Sequence, residues 1–113
     1  MTFDGGLAQR IREVLHDRDD VVEKRMFGGL AFMIGGHMAV GVSGSSLLAR
    51  VGPGNHAHAL ATVHVRPMDF TGKPMKGYVF VDPEGLADDA DLATWIRVCR
   101  DFVATLPLRA PSR

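Results

Sequence analysis

The sequence predicts a single α+β domain built on a central antiparallel sheet, and three observations lead to this prediction. The chain has 113 residues, which fits one domain and suffices to bury a core without a disulfide or a metal. Apolar residues recur at helical spacing near both ends of the chain. Between them lie short β-compatible runs separated by glycine pairs and small polar turns. The predicted order is helix, four-strand meander, short helix, strand and long C-terminal helix.

The first predicted helix covers residues 6–17. Leu7, Ile11 and Leu15 recur at helical spacing, with polar residues between them. Asp4 precedes this segment, where a carboxylate can accept hydrogen bonds from the first backbone N–H groups. The apolar stripe is narrow, so the helix is expected to cover another element.

Four consecutive antiparallel strands are predicted after this helix. Their sequences are VVEKRMF, LAFMI, HMAVGV and SLLARV, from residue 21 to residue 51. Gly35 and Gly36 separate the second strand from the third, and glycines supply the positive φ angles of a two-residue hairpin turn. The segment therefore reads as a meander.

The alternation within these strands assigns side chains to the two faces of the sheet. In the second strand, one face receives Leu30, Phe32 and Ile34. In the third strand, one face receives Met38, Val40 and Val42. Neither face is strongly polar, so we expect helices on one face and a second element or a second copy of the chain on the other.

The second half of the chain contains two helices and a strand. A short helix is predicted within residues 52–62, entered through Pro53 because proline is tolerated at the first helical position. An irregular connection over residues 63–77, whose start is compatible with a short strand, leads to the strand YVFV. The last helix has the clearest apolar stripe, with Asp88 or Asp89 as its N-cap and Pro107 ending it.

The composition indicates a cytoplasmic protein of one domain, residues 1–113, with a core of about 7–107 and a loose tail at 108–113. The single cysteine, Cys99, excludes an intramolecular disulfide and suits a reducing compartment. The N-terminus lacks the basic start and apolar run of a signal peptide, and no stretch approaches the roughly 20 apolar residues that span a bilayer. We expect no membrane partner.

The catalytic motifs that the chain approaches are all incomplete. GVSGS lacks the second glycine of a nucleophile elbow, and TGKP has Pro74 where a phosphate loop has a hydroxyl. GPGNHA matches a loose dinucleotide-loop pattern, but its antiparallel surroundings cannot supply parallel βαβ units. We therefore predict no enzyme and no cofactor.

A metal site and a cysteine nucleophile are also not predicted. His56, His58 and His64 are close in sequence, but the first two point to different sides of a helix and no cysteine or carboxylate stands at ligand spacing. Cys99 lies on the apolar stripe of the last helix, where a thiol is usually a small buried hydrophobe.

The charge distribution is uneven although the formal net charge is zero. Six cations stand against two acids between residues 21 and 81, a local balance of +4. Such charges are commonly a solvated surface, but they also suit an acidic partner. The loop DFTGKPMKG is rich in turn-forming residues that would hold Lys73 and Lys76 beside Arg25 and Arg66. These four are the predicted partner-binding residues, unless the loop needs this chemistry only to fold.

An alternative site lies at the entrance of the second predicted helix. Free N–H groups at a helix start favour anions, and the sequence RVGPGN adds a cation. The alternative prediction is therefore a small-molecule or anion-binding protein that uses Arg50, Gly52, Gly54 and Asn55.

Four blocks of the chain resemble the N-terminal domain of the TfoX/Sxy family. They are RMFGGLAFMIGGHMAVGV at 25–42, LLARVGP at 47–53, RPMDFTGKPMKGYVFV at 66–81 and LATWI…ATLP at 92–107. The resemblance implies an α+β domain around an antiparallel sheet and no catalytic residues. Named members are cytoplasmic bacterial regulators of natural competence that act with the cyclic-AMP receptor protein. Longer members carry a helical C-terminal domain, and we expect a stand-alone form that lacks it.

The function predicted from these observations is a non-enzymatic regulatory or protein-interaction domain. We expect a homodimer that binds a transcription regulator or another acidic protein. Direct DNA binding is less favoured, because the net charge is zero and no recognition helix is evident.

Overall fold

The computed structural model describes residues 3–26, 28–69 and 75–107. Within these ranges the helices are α1 (Gly5–Val14), α2 (His56–Leu60) and α3 (Asp89–Val103). The strands are β1 (Val21–Met26), β2 (Gly29–Ile34), β3 (His37–Ser43), β4 (Ser46–Arg50), β5 (Val65–Pro67) and β6 (Tyr78–Val81). Short 3₁₀ turns precede α2 at Pro53–Asn55 and α3 at Pro83–Leu86.

The six strands form one antiparallel sheet in the order β1-β2-β3-β4-β6-β5. The predicted α+β class with a central antiparallel sheet is therefore confirmed. The connection at residues 63–77 does begin with a strand, β5, so that the predicted fifth strand YVFV is the sixth. Because β6 inserts between β4 and β5, the two edges of the sheet are β1 and β5.

Helix α1 begins where the sequence places its cap. The Asp4 carboxylate accepts hydrogen bonds from the N–H groups of Gly6 and Leu7 at 2.8 and 3.2 Å. Leu7 and Ile11 are buried against the sheet, as the narrow stripe predicts. The helix ends at Val14 rather than at residue 17, because turns follow at 15–17.

All three helices cover the same face of the sheet, which we call the helical face. Its core cluster combines strand and helix side chains, among them Phe32, Val42, Leu47, Val79, Ile11, Ala59 and Ile96. The other face of the sheet is called the second face. No helix in the described ranges is long and apolar enough to cross a membrane.

A β-bulge in β3 overturns one predicted face assignment. Phe32 pairs with Val40, but Met33 already pairs with Met38, so Ala39 is an extra residue in β3. Ala39 and Val40 both belong to the core cluster, which strict alternation cannot give. Met38 therefore lies on the second face with Met33, and not on the face of Val40.

Helix α3 has the predicted apolar stripe, and its residues Leu92, Ile96 and Cys99 are buried. Asp88 occupies the N-cap position but makes no side-chain cap hydrogen bond. The guanidinium of Arg10 instead joins α1 to the start of α3, at 3.0 Å from the Asp89 carboxylate and 2.6 Å from the Leu86 carbonyl oxygen.

Candidate functional site

The second face of the sheet carries apolar and cationic side chains. Its strand residues, assigned from pairing and alternation, include Val22, Lys24, Met26, Ala31, Met33, Met38, Leu48, Arg50, Tyr78, Phe80 and Arg66. None of the strand residues described on this face is acidic. The acid of β1, Glu23, points to the helical face, where it binds Arg12 of α1 at 2.6 and 2.8 Å.

The centre of the second face is covered, whereas its margin at β1 is open. Ala31 and Leu48 are fully buried, although they lie outside the core cluster of the helical face. On β1, by contrast, Val22 is 58% exposed and Met26 is 43% exposed. We call Val22, Lys24 and Met26 the β1 margin; it places two exposed apolar side chains on either side of a cation.

Arg66 is held in a network that fixes the opposite edge of the sheet. Its Nε lies 2.9 and 3.1 Å from the two carboxylate oxygens of Asp82, and its Nη2 is 3.3 Å from the Ser46 hydroxyl. Ser46 donates in turn to Asp82 at 3.0 Å, and the guanidinium lies 5.2 Å from the centre of the Phe80 ring. The network neutralises Arg66 and joins β5 to β4 and the end of β6.

Arg25 lies far from Arg66, so the predicted cluster of four cations is wrong as one surface. Arg25 pairs with Leu30 on the helical side of β1, and its guanidinium lies 5.7 Å from the centre of the Phe3 ring. The two arginines occupy opposite edges of the sheet, because β2, β3, β4 and β6 lie between them. They also lie on opposite faces, because Arg66 pairs with Phe80 of the second face. At ~4.8 Å between neighbouring strands, β1 and β5 are about 24 Å apart. Lys76 is exposed before β6, and Lys73 lies outside the described residues.

At the predicted anion site, most of the backbone N–H groups already have acceptors within the chain. The N–H groups of Val51 and Gly52 both donate to the Gly77 carbonyl oxygen, at 2.9 and 3.1 Å. The Asn55 side-chain amide donates to the Val51 carbonyl oxygen at 3.0 Å, and its backbone N–H donates to Gly52 at 3.2 Å. Gly54 completes this short 3₁₀ turn.

Arg50, the cation of that alternative site, is also engaged. Its guanidinium lies 5.4 Å from the centre of the Tyr78 ring and 5.6 Å from that of Phe102. It also donates to the carbonyl oxygen of Met38 at 3.4 Å. Arg50 therefore ties α3 to the end of the sheet rather than facing an anion at the helix entrance.

The histidine and cysteine side chains considered as reactive groups have structural roles: His56 forms a hydrogen bond and Cys99 is buried. The Gly77 N–H donates to His56 Nδ1 at 3.0 Å, which ties α2 to the start of β6. Burial raises the pKa of the Cys99 thiol to about 12, so the nucleophilic thiolate is not formed at neutral pH. Across the described ranges, no group of three histidine, cysteine or acidic side chains is placed to hold a metal ion.

A cavity of about 310 Å³ lies between α2 and α3, and the sequence does not predict it. Val51, Ala59, Trp95 and Val98 provide its apolar walls. The hydroxyls of the lining Thr62 and Thr94 donate to carbonyl oxygens of their own helical segments. The cavity forms where α2 packs against α3, and no local sequence pattern predicts that packing.

A model of a known protein family matches most of the chain. The family model of the TfoX N-terminal domain matches residues 13–103, which is more than half of the chain. No curated protein and no solved structure was found to match the chain. This match leads to one conclusion: the chain belongs to the TfoX N-terminal domain family.

Proposed function

We propose that the chain is a non-enzymatic interaction domain that binds an acidic protein partner through the β1 margin. One observation carries this proposal: the second-face side chains of β1 are two exposed apolar groups, Val22 and Met26, on either side of Lys24. Lys24 has no ion pair among the described residues, so its charge is available to a partner.

The physical basis of binding is apolar burial combined with charge complementarity. Covering exposed apolar side chains stabilises a complex by roughly 25 cal/mol per Å² of apolar surface removed from water. A carboxylate brought to Lys24 adds steering and selects against basic surfaces. Neighbouring Met33 and Met38 are half-buried, and methionine side chains adapt readily to the shape of a partner.

The regulatory part of the proposal comes from the family. The sequence resembles competence regulators that act with a transcription factor, so we assign the partner to the transcription apparatus. Direct binding of DNA is less favoured, because Arg66 is neutralised by Asp82 and Arg25 faces the other side of the sheet.

A capture experiment with charge reversals tests this assignment. The tagged chain would be compared with Lys24→Glu and with Arg97→Glu, a matched reversal at an exposed position of α3. We expect the acidic partner to be captured by the wild type and by Arg97→Glu but lost with Lys24→Glu. Thermal unfolding of each variant confirms that it is folded. Equal capture by all three proteins would show that the β1 margin does not bind the partner.

Binding of a small apolar molecule is a second candidate function, favoured by the cavity between α2 and α3. Trp95 lines this cavity and is the only tryptophan of the chain, so its fluorescence reports occupancy directly. Titration with naphthalene should shift its emission if the cavity accepts aromatic hydrocarbons. An unchanged spectrum in the wild type, with Trp95→Phe as the blank, argues against this function.

A further inference from the structure

The two edges of the sheet differ in their ability to accept another strand. The β5 edge has three residues and ends in Pro67, which has no N–H to donate. The β1 edge has six residues, contains no proline and is exposed from Val22 to Met26. In an antiparallel ladder every second residue of an edge strand turns its N–H and C=O away from its neighbour. No backbone group of the described ranges bonds to the outer side of β1, so this edge offers N–H and C=O groups to an incoming strand.

We propose that the partner supplies an extended segment that joins the sheet as an antiparallel strand beside β1. This inference rests on the proposed function and names the recognition element of the partner. An acidic side chain of the segment lies opposite Lys24, and apolar side chains on either side of it lie opposite Val22 and Met26. The segment thus has the pattern apolar, any, acidic, any, apolar.

The β1 side chains that select the incoming segment lie on the second face. On the helical face, Glu23 is already held by both Nε and Nη2 of Arg12, and the Arg25 guanidinium stacks over Phe3. These side chains have partners before any strand arrives. Val22, Lys24 and Met26 are exposed, so their cross-strand neighbours decide which segment binds.

A second copy of the chain fits this edge less well than an acidic segment. Two antiparallel copies of β1 in one sheet are related by a two-fold axis normal to the sheet, so one residue must lie opposite its own copy. The two registers with the greatest overlap centre on Glu23 or on Lys24, and both oppose like charges, which is destabilising. Glu23 and Lys24 therefore each disfavour one register of self-pairing, and Lys24 favours an acidic strand.

A peptide titration followed by NMR tests the proposal. The probe is a capped nine-residue peptide with valine, glutamate and valine at alternate central positions and threonine elsewhere. A second peptide carries lysine in place of the glutamate. We expect the acidic peptide to slow hydrogen exchange at alternate β1 amides, which are the outward-facing ones. Lys24→Glu should raise its Kd about threefold to tenfold, and the lysine peptide should restore binding to that variant.

Three results would overturn strand addition. The first is equal affinity of the wild type for both peptides. The second is protection of β1 amides from hydrogen exchange without an alternating pattern. The third is a dimer of the chain whose β1 amides are protected when no peptide is present. Failure here is distinguishable from failure of the proposed function. If neither peptide binds but capture of the protein partner still depends on Lys24, side-chain docking on the β1 margin stands and strand addition falls.

Discussion

Gly52 has a structural role that its local sequence does not reveal. The motif RVGPGN indicates a helix entrance, where its glycines suggest an anion-binding backbone. In the structure Gly52 has a φ angle of +89°, and a Cβ atom there would lie within 2.9 Å of three atoms of the Phe102 ring. The glycine is needed for backbone conformation and close packing, which depend on where α3 ends and could not be predicted locally.

Substitution of this glycine should therefore destabilise the fold. We expect Gly52→Ala to lower the free energy of unfolding by about 2–4 kcal/mol, from backbone strain and overlap with Phe102. Gly54→Ala is the matched control, because a Cβ atom at Gly54 meets nothing within 4 Å. Urea denaturation of both variants measures the difference. Similar losses in the two variants would contradict this explanation of Gly52.

The ion pair between Arg12 and Glu23 gives a second prediction at the residue scale. The hydrogen bonds from Arg12 hold the pKa of Glu23 below its ordinary value. A depressed carboxylate pKa contributes stability that is present above the unfolded-state pKa and is lost as the pH falls through the folded-state pKa. The stability difference between wild type and Glu23→Gln should therefore be largest near neutral pH.

That difference should shrink as the solution is acidified below about pH 4, the ordinary range of a glutamate side chain. Urea denaturation of both proteins across this range measures it. A difference that stays constant with pH would show that the pair does not couple α1 to β1 through charge.

At the scale of elements, periodicity predicts what an element is better than where its side chains point. The strands of the meander and the stripe of α3 follow from local patterns, and the hairpin glycines have the expected positive φ angles, +60° at Gly35 and +83° at Gly36. The bulge at Ala39 escapes such reasoning, because an extra residue in β3 is defined only by its pairing with β2.

The edge strand β5 depends on a side-chain network rather than on its own three residues. We expect Asp82→Asn to weaken the attachment of β5 by up to about 1 kcal/mol, because Arg66 and Ser46 lose a carboxylate acceptor. Hydrogen exchange should accelerate at β5 amides and stay unchanged at β1. Equal acceleration at both edges would indicate a general loss of stability instead.

At the scale of the whole molecule, strand order decides which charges can act together. The sequence supports the fold class and the excess of cations between residues 21 and 81. It does not show that β6 returns between β4 and β5, which separates Arg25 from Arg66 by the width of the sheet. The β1 margin could be found only once the helices were known to cover the opposite face.

Site-directed photocrosslinking in cells tests whether the β1 margin binds an acidic partner. A photoreactive residue would replace Val22, which is 58% exposed, or Val63, a 72% exposed valine in the turn before β5. We expect one acidic protein to be crosslinked from position 22, to be lost when Lys24→Glu is added, and to be absent from position 63. Crosslinking of the same protein from both positions, or from position 63 alone, would contradict it.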